Sequence, residues 1–103
     1  MMAYLQHDLF TRHLNTTFQI HTSETETIEA ELTEVSEHVQ SPRQERFAVV
    51  FRAANDPFLG QGVRRFEHDQ MGTFDLFLVP ISQDDRGTYY EAVFNRIPKQ
   101  TSS

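Results

Sequence analysis

Arg52, Asn95 and Arg96 each stand where an apolar run ends, and such positions let a polar side chain order a loop or face a ligand. The chain uses eight Arg against one Lys. Arg is the better of the two at bidentate and stacked contacts. Asp75 is the one charged residue of the run Gly72–Ile81. If buried, its carboxylate needs donors, and a nearby Arg (Arg52 and Arg96 among them) or backbone N–H groups are expected to supply them. Gln61 lies between Gly60 and Gly62, in a segment that also carries Arg64, Arg65, His68 and Asp69. Arg52, Gln61, Asp75, Asn95 and Arg96 are therefore the candidate binding residues.

Catalysis has fewer supports. His68 beside Asp69 could serve acid–base chemistry, because imidazole titrates near neutrality. No Gly-x-Ser-x-Gly elbow and no His-Glu-x-x-His pair accompanies it. With no cysteine there is neither a thiolate nucleophile nor a thiolate-bound metal. His7 and His13, six apart, fall on different sides of a helix, and the Glu run 24–37 lacks the Asp-x-Asp-x-Asp-Gly spacing of a calcium loop. No catalytic residue, metal or cofactor is assigned.

Composition narrows the partner class. The net charge of −6 comes from Glu24, Glu26, Glu29, Glu31, Glu34 and Glu37 alone, since the remaining nine acids balance nine bases. Nucleic-acid binding draws most of its affinity from neutralised phosphates, so a nucleic-acid partner is excluded. No run of 18 apolar residues spans a membrane. The first residues lack the basic and apolar regions of a signal peptide, which makes a cytoplasmic location the default.

The elements that must position these residues are mostly strands. Residues 4–14 place Leu5, Leu9, Phe10 and Leu14 on one helical stripe, a short lid for one end of the core. Residues 15–23 alternate around Phe18 and Ile20. Residues 24–39 fit a strand through Ile28, Ala30 and Leu32, or a helix through Ile28, Leu32, Val35 and Val39 with Ser23 and Glu26 as a capping box. The strand version requires a bulge or strand end near Thr33–Val35. Strands follow at 45–53, 63–67, 72–81 and 88–97, with turns at 41–44, 68–72 and 83–87 and a loop after Pro57. Pro80 should mark a bulge or a ladder end. Both faces of Gly72–Ile81 are apolar apart from Asp75, which predicts protein cover on both sides.

Such short connections permit only antiparallel pairing. The expectation is an all-β domain over 1–98, a small antiparallel barrel or two-layer sandwich of about six strands with a short N-terminal helix, followed by a disordered tail at 99–103.

The order of Phe47-Ala48-Val49-Val50-Phe51-Arg52, Gln61-Gly62, Leu76-Phe77-Leu78-Val79-Pro80 and Tyr90-Glu91-Ala92-Val93-Phe94-Asn95-Arg96 resembles a family of small bacterial domains of unknown function. The resemblance implies an all-β fold and favours the strand reading of Thr27–Val35. Members of that family are often encoded beside phage-tail collar-type proteins, which implies an accessory or assembly role in a tail-fibre-like system. Three functions are weighed. The first is a non-enzymatic protein-binding module. The second is a small-molecule-binding barrel anchored by Arg52 or Arg96, and the third a small hydrolase using His68 or a carboxylate pair. Self-association through an open sheet edge is a further expectation.

Overall fold

Alternation of apolar and polar residues becomes extended structure along most of the chain. The computed structural model describes residues 5–97. Within them lie one short helix, α1 (His7–Arg12), and the strands β1 (Thr17–His21), β2 (Thr27–Val35), β3 (Val39–Ser41), β4 (Gln44–Ala53), β5 (Gly62–His68), β6 (Gly72–Asp84) and β7 (Gly87–Arg96). The strands pair antiparallel in the order β2-β1-β5-β6-β7-β4-β3, and β2 also pairs with β4. That last pairing closes six strands into a barrel and leaves β3 as an extra strand on β4. Of the two architectures left open by the sequence, the barrel is the one formed. The tail 99–103 and the stop at Pro98 lie outside the described residues.

The interior is built from rings. Phe18, Phe47, Phe51, Phe66, Phe74 and Tyr90 point inward with Ile20, Leu32, Val49, Leu76 and Leu78. Phe18 meets Phe51 at 5.1 Å, Phe51 meets Phe66 at 4.9 Å, and Phe66 stacks on Phe74 at 5.6 Å between centroids. Each ring removes roughly 150–250 Å² from water, and each such pair adds about 0.5–1.5 kcal/mol beyond burial.

A six-residue helix cannot persist alone, so α1 depends on Phe10, which is fully buried against Phe47, Phe74 and Phe94. This is the expected lid, although Leu14 is more exposed than its stripe position implies. The opposite end is covered by the loop after Pro57. There Leu59 is buried and donates its N–H to the Tyr90 phenol oxygen at 2.9 Å, while Phe58 remains exposed.

Two irregularities fall where the sequence placed them. The β2–β4 register shifts between Leu32 and Glu34, and the β6–β7 register shifts between Pro80 and Ser82. The helical option for 24–39 is not taken; β3 continues the extended course beyond Ser36, a strand that sequence periodicity did not separate.

One expectation is corrected. Gly72–Ile81 is covered on one side only: Phe74, Leu76 and Leu78 are buried, whereas Asp75, Phe77 and Ile81 face solvent. A small barrel has one interior, and no second layer lies over β6 among the described residues. The circular order also sets β2 directly across the barrel from β6. Glu29, Glu31 and Glu34 of the acidic segment therefore lie on the wall opposite these exposed apolar side chains. Among the described residues β3 is the strand with a single neighbour, and the β6–β7 ladder runs only from Val79↔Glu91 to Asp84↔Gly87.

Candidate functional site

The five candidate residues are distributed over the barrel. Arg52 faces outward on β4 and donates from Nη2 to Glu31 Oε1 of β2 at 2.7 Å. Asp75 faces outward on β6, where Arg65, its register partner on β5, approaches it at 3.6 Å. Its partner is therefore Arg65, and the expected links to Arg52 or Arg96 are not made. Gln61 is exposed in the loop before β5. Asn95 accepts the Gln44 side-chain amide at 3.1 Å on the outer surface. Arg96 is directed toward the helix-capped end of the core. Adjacent strand residues point to opposite faces, so even Asn95 and Arg96 share no site.

Arg96 does build a polar cluster, with partners that the sequence did not single out. Its Nε donates to Glu45 Oε1 at 3.0 Å, and its Nη2 donates to the backbone carbonyl of Leu5. Its guanidinium lies 5.1 Å from the centroid of Phe94 and 5.6 Å from that of Phe47. Glu45, only 4% exposed, accepts a second bond at Oε2 from His38 Nε2 at 2.7 Å. His7 stacks on His38 at 4.6 Å and donates from Nε2 to the Ser36 carbonyl at 2.8 Å. Because a carbonyl or carboxylate oxygen only accepts here, both imidazoles carry the proton on Nε2. The arrangement fastens α1 and the segment around Ser36–His38 to the β4–β7 pair. One sequence signal could have revealed it: Glu45 occupies the same face as Phe47, Val49 and Phe51, so the alternation that buries those residues also buries this carboxylate.

His68 is committed to its turn. Its Nδ1 accepts the N–H groups of Gln70 and Met71 at 3.1 and 3.2 Å. The proton therefore sits on Nε2, 3.0 Å from Thr16 Oγ1, and that hydroxyl donates to the His13 carbonyl at 2.6 Å. Burial holds the His68 pKa below its ordinary value; the nearby His13 lowers it further, and Asp69 partly offsets both. Asp69 itself is exposed in the turn.

An open groove of about 630 Å³ runs between the turn at Thr22–Glu24 and the start of β5. Its basic side chains are engaged: Arg65 with Asp75, His21 with Glu67, and Arg64 Nη2 with the Gly60 carbonyl at 3.2 Å. Arg64 Nε is buried without a partner. Among the described residues no three His, Asp or Glu side chains are grouped to hold a metal ion, and no helix is long and apolar enough to cross a membrane.

Residues 5–94 match the family model described as Domain of unknown function (DUF6916). The chain belongs to that family. The family's span takes in α1, β1 to β6 and β7 as far as Phe94, so the ring-lined interior and Glu45 lie within it, whereas Asn95 and Arg96 follow its end. No curated protein and no solved structure matches the chain.

Proposed function

We propose that this domain is a non-enzymatic protein-binding module that serves assembly. Its partner would be of the tail-fibre-like collar class that the sequence resemblance implies. The observation that carries the reading is a ring-filled interior beneath an exterior of two unlike walls, one apolar and centred on β6, the other acidic and centred on β2. With Phe and Tyr rings packed across the barrel axis, binding capacity lies on the outside, and extended outer walls suit a protein surface better than a small molecule. The polar clusters are consistent with this. Arg96, Glu45, His38 and His68 are each engaged in fastening one piece of the fold to another.

The test is direct titration of the full chain against a purified collar-type protein by biolayer interferometry. Saturable binding at or below tens of micromolar is expected. No binding at about 100 µM, a range in which even weak specific complexes form, would end this reading.

A further inference from the structure

We propose that the groove beside the start of β5 receives an extended segment of a partner protein, and that Arg64 grips an Asp or Glu carboxylate of that segment. The inference rests on the reading of the domain as a protein-binding module and gives one contact its chemistry. The barrel wall is thin at this place. β5 pairs with β6 from Gly62 to His68, but with β1 only at Phe66 and Glu67. On the β1 side, residues 62–65 have no strand partner among the described residues. Such an edge offers its N–H and C=O groups to an added strand. The open groove of about 630 Å³ lies here, with Val63, Arg64 and Arg65 along one side and His21 and the β1–β2 turn along the other.

Arg64 lacks what such a segment can supply. It shares the inward side of β5 with Phe66, yet it stands at the barrel rim and is half-buried. Its one hydrogen bond among the described residues runs from Nη2 to the neutral Gly60 carbonyl at 3.2 Å, while its Nε is buried with no acceptor. A buried N–H without a partner bears its desolvation with nothing in return. Nε and Nη2 form a fork that a carboxylate fits with two parallel bonds. Turning the side chain toward the groove exchanges one bond to a carbonyl for two charge-assisted ones and gives Nε its acceptor.

Charge selects the occupant. The groove is lined by two guanidiniums, Arg64 and Arg65, and two carboxylates, Glu24 and Asp75. Arg65 answers Asp75 at 3.6 Å. Glu24 is exposed in its turn, where water and salt screen it. Arg64 is the lining cation that holds no carboxylate among the described residues. A segment without an acid would cover that guanidinium and leave it unanswered, so the edge discriminates between partners as well as attracting one.

Nuclear magnetic resonance of the isotope-labelled full chain, titrated with a short capped peptide of alternating valine and glutamate, tests this. The Arg64 Nε–H signal and the amides of residues 22–24 and 63–65 should shift saturably by about 1 mM peptide. The peptide with glutamine in place of glutamate should bind about tenfold more weakly or not at all. Arg64→Lys keeps the charge and loses the fork, so it should weaken the acidic peptide about tenfold with unchanged circular dichroism. Should that variant unfold, Glu24→Gln gives a second reading: it should tighten the acidic peptide and leave the glutamine peptide unaffected. No shift at about 1 mM, equal affinity for the two peptides, or the same shifts from sodium acetate at equal concentration would each overturn the proposal. The outcome is separable from the collar titration. A groove that takes the acidic peptide in a chain that captures no collar protein ends only the collar reading, and a collar complex that leaves the Arg64 Nε–H signal unmoved ends only this inference.

Discussion

Tyr90 and Leu59 meet inside the core, the phenol oxygen of one accepting the backbone N–H of the other at 2.9 Å. This bond ties the loop after Pro57 across one end of the barrel. Tyr90→Phe keeps the ring and leaves the Leu59 N–H without that acceptor, so a loss of about 1–3 kcal/mol is expected. Urea unfolding measures it, and an unchanged midpoint would mean that the loop finds another acceptor at no cost.

Glu45 binds two donors from different parts of the chain. Replacing it by Ala leaves Arg96 and His38 without their carboxylate. Breaking a buried pair costs about 3–5 kcal/mol, and about 3 kcal/mol is expected because both partners keep some contact with water. Amide exchange in α1 should accelerate more than exchange in β5, since the clamp holds the helix end of the barrel. Equal acceleration in both elements would show that Glu45 supports the whole fold evenly.

His68 should make stability depend on pH. Its pKa is lower in the folded chain than its ordinary value of 6.5, so the unfolded chain takes up the proton first as pH falls. Stability from this group is complete above about 6.5 and is lost as pH drops through the folded value. Protonating Nδ1 would also remove the acceptor for Gln70 and Met71. The difference between wild type and His68→Gln, measured by denaturation between about pH 8 and pH 5, should be flat at the upper end and shrink at the lower.

Gly87 has φ of 151°, and a Cβ there would lie 2.4 Å from the Ala53 carbonyl oxygen and 3.0 Å from Arg52 Cγ. The nearest obstacle is backbone in a paired strand, which has little room to yield. Gly87→Ala should cost about 1–3 kcal/mol, as overpacking does, and lower the melting temperature by several degrees. Gly60→Ala, which meets nothing within 4 Å, is the control and should change it little.

The strands were legible because inward and outward positions alternate at the period of two that a pleated sheet imposes. Phe47, Val49 and Phe51 are buried where their alternation placed them, and Pro80 marks a bulge. Phe77 and Ile81 were misjudged for a physical reason. Periodicity reports that a face is apolar, and an apolar face covered by the same chain looks identical to one left open. The polar cluster was out of reach for another reason. Glu45 and Arg96 are 51 residues apart, and their meeting depends on the β4–β7 register rather than on any local pattern. Of the candidate residues, Asp75 found the ion pair expected of it, with Arg65 rather than Arg52 or Arg96.

In a ring of six strands every strand has an antipode, and here the antipode of β6 is β2. A partner that grips the carboxylates of Glu29 and Glu34 on β2 therefore leaves Phe77 and Ile81 on β6 uncovered, so each wall can be altered and tested without touching the other.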